Sequence, residues 1–258
     1  MKERISLTLD SELLKKVDSH VDGRLIASRS HAVELFVDKY MRQNRYCVIL
    51  AGGDADALRI EDGTYRPLVE INGRTLISHI RDAAEKAGYG RLIVVGSRQI
   101  LDAIRTAMAD AVYIEENRHG TATALLAARQ YLKDTFMFVP CDHFFDFDMK
   151  KLEYVHKSGN FTATLAVYAS TEPDKIGSLI DMDGNEVIHY WEKPGNYVTF
   201  LNATFIGFAE PEIFTSISGA SLQEDTFPLL IKHRKLGGAI MSGRFANIHS
   251  QKDVDNIE

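Results

Sequence analysis

Several short stretches carry residues suited to contacting a nucleotide. Leu50-Ala51-Gly52-Gly53 is an apolar run that ends in two glycines. With no Cβ in the way, such a turn lets backbone N–H groups come close to a nucleotide. Gly120-Thr121-Ala122 places a glycine at the opening of a helical pattern. Asp142 follows the apolar run Phe136 to Val139 and the step Pro140-Cys141, and a carboxylate there offers the hard oxygen that Mg²⁺ takes. Trp191-Glu192-Lys193-Pro194 and Asn202-Ala203 come next. Lys193 offers a cation and Glu192 a hydrogen-bond acceptor. Arg66 adds a further cation. Each residue alone has a plain structural role, since Asp142 could cap a turn and Lys193 could be a solvated charge. Their order along the chain points to a ligand site.

The elements that must position these residues alternate. Apolar strands at residues 46–50, 92–95, 112–114 and 136–139 are separated by helical patterns: one from Leu76 to Ala87 stopped by Gly88, one after Ser97, and one opening at Gly120. This βα alternation predicts an α/β, Rossmann-like domain with a mostly parallel sheet and helices on both faces. Ligands then belong at the carboxyl ends of the strands, where Gly53, Gly120 and Asp142 fall.

From about Tyr46 to Glu258 the chain resembles the sugar-phosphate nucleotidyltransferases. Leu50-Ala51-Gly52-Gly53 matches that family's opening loop, and Gly120-Thr121-Ala122 its base-contacting turn. Asp142 matches its metal-binding Asp, Glu192-Lys193-Pro194 its Glu-Lys-Pro motif, and Asn202-Ala203 its Asn-Ala motif. The resemblance implies transfer of a nucleotidyl group from an NTP to a sugar phosphate, release of pyrophosphate, and Mg²⁺ bridging the phosphates. The departures lie at catalytic positions. After Gly-Gly the family continues x-Gly-Thr-Arg-Leu, whereas here Asp54-Ala55-Asp56-Ala57-Leu58 puts Ala57 in place of the Arg, with Arg59 displaced by two residues. Asp54 and Asp56 add negative charge where a triphosphate should pass. Arg66 replaces the family Lys and keeps the charge without the point geometry. In Arg244-Phe245-Ala246-Asn247-Ile248-His249, Asn247 stands where the family has a second metal-binding Asp, which weakens a Mg²⁺ site shared with Asp142. His143 is either a further ligand or a structural residue.

Residues 1–44 read as a separate module. Glu3 to Leu9 alternates, with Ile5, Leu7 and Leu9 on one face and Arg4, Ser6 and Thr8 on the other. Asp10-Ser11 then caps a helix carrying Leu13, Leu14, Val17 and Val21, and Ser28-Arg29-Ser30 opens a second with Ala32, Val33, Phe36, Val37 and Tyr40 inward. One strand and two helices are too small for a good core, and a lone strand leaves both edges open. Pairing with a second copy answers both, and a two-stranded ribbon fits the DNA major groove. The module resembles the ribbon-helix-helix repressors. That implies a homodimer or higher oligomer on double-stranded DNA, with Arg4, Ser6 and Thr8 toward base edges and Ser28, Arg29 and Ser30 toward a phosphate. The other reading is a module used for dimerisation alone.

Charge agrees with this division. Residues 1–45 carry a net +2 and the remainder −8, so DNA contact belongs to the N-terminus. The 258-residue chain is 45% hydrophobic and 26% charged, ordinary for a globular protein. No apolar run is long enough to span a bilayer, and Lys2, Glu3 and Arg4 argue against a secretory leader, so a cytoplasmic protein is expected. Cys47 and Cys141 read as buried hydrophobes. The linker, residues 42–45, is too short for independent tumbling. The combined expectation is a DNA-binding regulator whose body senses a nucleotide or sugar nucleotide, catalysis being degenerate. The alternative is an active nucleotidyltransferase with an N-terminal DNA-binding or dimerisation module.

Overall fold

The computed structural model describes residues 3–43, 45–170, 177–194 and 199–257. The chain divides into two compact units, Met1–Asn44 and Arg45–Glu258. The linker expected at residues 42–45 lies partly outside the described residues.

The first unit holds helices α1 (Ser11–Asp18) and α2 (Arg29–Gln43). The Asp10 carboxylate caps α1 by accepting from the Glu12 and Leu13 amides. The helices meet through buried Val17 and Ala32 and an edge-on contact of His20 with Phe36. The strand expected at residues 3–9 is not formed, for one chain offers it no partner edge. Ile5 and Leu7 are left 72% and 59% exposed. The inner face read for α2 is only partly inward: Ala32 is buried, whereas Val37 and Tyr40 lie in the open.

The second unit follows the expected alternation through its first half. Strand β1 (Tyr46–Ala51) is followed by a small hairpin, β2 (Glu70–Ile71) with β3 (Arg74–Thr75), and by helix α3 (Leu76–Ala87). Then come β4 (Arg91–Gly96), α4 (Arg98–Ala107), β5 (Val112–Glu115), α5 (Thr121–Ala128) and β6 (Phe136–Pro140). Gly88 ends α3 in the left-handed conformation at φ 87°, which favours glycine. The strands order as β5-β4-β1-β6, all parallel. The short strand β7 (His143–Phe145) and helix α6 (Met149–Ser158) lead into the second half.

That half corrects the expectation of a mostly parallel sheet. It contains β8 (Ala163–Ala169), β9 (Ser178–Asp183), β10 (Glu186–Glu192), β11 (Leu201–Ala209), helix α7 (Ile213–Ser216), a π-helical turn (Leu222–Thr226), α8 (Phe227–Lys232) and β12 (Leu236–Ile240). The sheet continues β6-β11-β8-β12-β10-β9. Here only β8 and β12 run parallel, and the other pairs are antiparallel. Consecutive strands such as β9 and β10 join through tight turns with no crossover helix to force a parallel run. The nine-stranded sheet is therefore mixed. Buried apolar clusters on both faces hold it, one including Ile49, Ile77, Val94 and Val139, the other Val48, Leu125, Phe138 and Phe227. Beyond β12, β13 (Phe245–Asn247) pairs antiparallel with β7, and α9 (Gln251–Asp255) follows.

Candidate active site

The carboxyl ends of β1 and β6 open onto a cleft of about 400 Å³. Its walls include Leu50, Gly52, Gly53, Gly120, Thr121 and Asp142 from the first half of the unit, and Glu192, Lys193, Asn202 and Asn247 from the second. All ten were expected at the ligand site on sequence grounds. Ala51 sits beneath the loop, buried in the sheet, and does not line the cleft.

Gly53 adopts φ 102° and Gly120 φ 121°, both in the region that favours glycine. A Cβ on Gly120 would fall 2.2 Å from the Ala220 carbonyl oxygen, so only glycine admits this approach. Lys193 is exposed and left-handed at φ 45°, an uncommon conformation for a side-chain-bearing residue. Phe205 at φ 56° sits where β11 shifts register between Ala203 and Gly207. Such a bulge re-aims side chains, and Phe205 joins the cleft wall.

Asp142 is the electrostatic centre. One of its carboxylate oxygens lies 2.9 Å from His143 Nδ1, and the other accepts from Arg66 at 3.2 Å. Burial pushes this carboxyl up, but His143 and Arg66 outweigh it and hold it below the usual aspartate range. Arg66 therefore acts directly on Asp142. His249 joins the group: burial, then the neighbouring Arg66 charge, push its imidazole below the usual histidine range.

Among the described residues, Arg66 Nε, Asn202 Oδ1 and Asn247 Oδ1 are buried without a hydrogen-bond partner. Buried polar atoms ordinarily find partners, so these three, at or beside one cleft, are open to water or a ligand; Ser97 Oγ and Thr226 Oγ1 are likewise unpartnered away from the cleft lining. An ionised carboxylate on Asp142 and an unpaired amide oxygen on Asn247 are the oxygen donors Mg²⁺ accepts, with phosphates and water completing its shell. No group of three or more His, Cys, Asp or Glu side chains among the described residues forms an all-protein metal cage.

The structure places the residues of the departing loop. Asp54 and Asp56 are exposed and outside the cleft wall, Asp54 accepting the Asp56 amide in a local turn. Arg59 does not substitute for the missing arginine at Ala57, because its guanidinium lies 3.8 Å over the Tyr65 ring and donates to the Gly63 carbonyl and the Tyr65 hydroxyl. The cleft also holds residues not assigned from sequence, notably Gln223, Ser178 and His249. His249 stood two positions from Asn247, whereas Ser178 and Gln223 carried no local signal. Ser178 Oγ donates to the Glu192 carboxylate. In the first unit Arg4, Ser6, Thr8, Ser28 and Ser30 are exposed, but Arg29 is engaged by a two-point ion pair with Asp18 at 2.7 Å.

Residues 47–176 match the family model described as the MobA-like NTP transferase domain. The chain belongs to this family. A mannose-1-phosphate guanyltransferase of Debaryomyces hansenii is 29% identical over 222 residues, covering 80% of this chain and 61% of that protein. The bifunctional protein GlmU of Methanocaldococcus jannaschii is 24% identical over 219 residues, covering 80% and 52%. The chain thus spans between about half and three-fifths of these relatives' length. The crystal structure of a putative glucose-1-phosphate thymidylyltransferase from Bacillus anthracis, in complex with a sucrose, superposes with a TM-score of 0.71 at 15% identity, covering 83% of this chain and 93% of that one. That likeness fixes the nucleotidyltransferase-type α/β fold. Among the described residues no helix is long and apolar enough to cross a membrane.

Proposed function

We propose that the second unit is an NTP:sugar-phosphate nucleotidyltransferase. The observation that carries this reading is the single cleft that gathers Gly52-Gly53, Gly120-Thr121, Asp142, Glu192-Lys193, Asn202 and Asn247 from across the chain. In the reaction an oxygen of the sugar phosphate forms a bond to the α-phosphorus of the NTP, and the bond to the bridging oxygen breaks, releasing pyrophosphate. The Gly52-Gly53 backbone accommodates the nucleotide at close range, while Lys193 and Arg66 offset phosphate charge. Asp142 and Asn247 would hold Mg²⁺, which supplies charge neutralisation at the phosphates when bound. Glu192, fixed by Ser178, and the unpaired Asn202 Oδ1 accept hydrogen bonds from sugar hydroxyls.

The test is pyrophosphate release by the full chain from a panel of NTPs with hexose 1-phosphates, beginning with GTP and mannose 1-phosphate. Turnover with at least one pair, lost on chelation and restored by Mg²⁺, is the expected result. Nucleotide binding without release from any pair would instead support a sensing domain.

A second reading concerns residues 1–44. The exposed apolar pair Ile5 and Leu7 alternates with exposed Arg4, Ser6 and Thr8, which favours a ribbon-helix-helix dimer that binds double-stranded DNA. Sedimentation should give a dimer or larger at micromolar concentration, and a lower order after deletion of residues 1–44. Arg4→Ala should weaken a specific duplex by about 1–3 kcal/mol. A monomeric full chain sinks the ribbon; unchanged affinity for every duplex leaves a module used only for association.

A further inference from the structure

Gln223 is a residue to which the mechanism above gives no work. It sits in the π-helical turn Leu222–Thr226, a rare conformation found mostly at functional sites, and its side chain lines the cleft. The turn is locked onto the start of α5. The Ala122 amide donates to the Ala220 carbonyl at 2.8 Å, and the Leu222 amide donates to Thr121 Oγ1 at 2.8 Å. The Thr121 hydroxyl then donates to Gln223 Oε1 at 2.7 Å, and Ser221 Oγ approaches the same oxygen at 3.4 Å.

These contacts orient the amide. With the Leu222 N–H already donating to it, the Thr121 hydroxyl needs an acceptor for its own proton, and Gln223 Oε1 is that acceptor. The Gln223 oxygen is therefore committed to the protein, while its NH₂ has no hydrogen-bond partner among the described residues. Gly52, Gly53, Gly120, Thr121 and Ala124, all uncharged, line the same cleft as Gln223. Gly52 faces Ala124, from which an added Cβ would stand at an ordinary contact distance of 3.9 Å, so backbone and a small side chain meet here. Elsewhere in the lining, Asp142 is held by His143 and Arg66, and the Arg66 charge also acts on His249. Phosphate belongs with that charged group, and a flat neutral ring belongs at the glycine wall.

We propose that Gln223 selects the nucleobase, presenting an oriented N–H donor that favours a base with a carbonyl on the facing edge, guanine, uracil or thymine, over adenine and cytosine, whose amino groups stand at the corresponding place. This rests on the transferase reading, because it presumes that a nucleotide occupies the cleft. A donor facing an amino group leaves both without partners, which a site of this kind rejects.

Binding separates this assignment from the reaction itself. Calorimetric titration of the full chain with GTP, UTP, ATP and CTP, each with Mg²⁺, should show GTP or UTP bound about tenfold or more tightly than its amino counterpart. Gln223→Glu keeps an acceptor for Thr121, keeps the shape, and replaces the donor with a second acceptor. It should bring the keto-to-amino ratio to about one or invert it. Gln223→Met removes the polarity and should erase the preference without inverting it. An unchanged ratio in a Gln223→Glu protein that still binds nucleotide overturns the assignment, as does a wild type indifferent to the base. If wild type binds none of the four, the transferase reading fails first and takes this one with it.

Discussion

Asp142→Ala is expected to lower pyrophosphate release by about 10²–10³-fold, the usual cost of removing one electrostatic contact at a developing charge. Both oxygens of this carboxylate are engaged, one by His143 and one by Arg66. Its removal takes away the Mg²⁺ donor and also frees the Arg66 guanidinium, whose Nε already has no partner. The loss should therefore appear in kcat, with nucleotide affinity reduced less, since the Gly52-Gly53 and Gly120 contacts remain. Asp142→Asn keeps the shape and one neutral oxygen, and should recover only a small part of the rate. Steady-state turnover near wild type in Asp142→Ala would remove this carboxylate from the mechanism.

The largest expected change in stability lies away from the cleft. Arg45 and Glu153 form an ion pair in which each side chain is only 14% exposed. The Arg45 guanidinium lies 4.0 Å over the Tyr89 ring and donates to the Tyr89 hydroxyl at 2.7 Å. Breaking such a pair from one side leaves a poorly solvated charge, so Glu153→Ala should cost about 3 kcal/mol, lowering Tm by roughly 6–12 °C. Lys157, half-exposed and 2.6 Å from Glu153, loses little because water serves it. Replacing Arg45 and Glu153 together by Met and Leu should restore most of the loss. Thermal scans of the two variants decide the matter, and an unchanged Tm in Glu153→Ala would show that the pair holds nothing.

Acid should act at the same place. Burial pushes the Glu153 carboxyl up, but Arg45 and Lys157 hold it below the ordinary glutamate value of 4.5, and His156 with Thr135 does the same for Glu210. A carboxyl lowered in the folded state stabilises above its unfolded value and ceases to do so as pH falls through its lowered one. Loss of stability below about pH 4.5 should be shallower in Glu153→Ala than in wild type.

What was legible in sequence was local. Helix α3 was readable because an amphipathic period runs up to Gly88, a residue that accepts φ 87°. Gly52-Gly53 and Asp142 were readable because each directly follows a continuous apolar strand. The direction of the second half of the sheet was not, for pairing between β8, β11 and β12 depends on partners far along the chain. Strand β12, Leu236-Gly237-Gly238-Ala239-Ile240, hides for another reason: its glycines make it look like a turn. A Cβ on Gly237 would fall 2.3 Å from the Phe161 ring, so packing there demands glycine, whereas one on Gly238 would sit 3.0 Å from the flexible end of Met182. Gln223 was illegible because its meaning comes from Thr121, 102 residues earlier.

The place of β12 bears on how the protein comes into being. This late strand lies inside the sheet, between β8 and β10. While the chain is being synthesised, β8 and β10 emerge long before Leu236 and must wait with bare edges, the state most open to pairing with the wrong chain. Closure between strands so distant in sequence is slow. A ribosome carrying this protein therefore holds an unfinished sheet until β12 arrives, and chaperone dependence should be greatest for nascent chains that stop short of it.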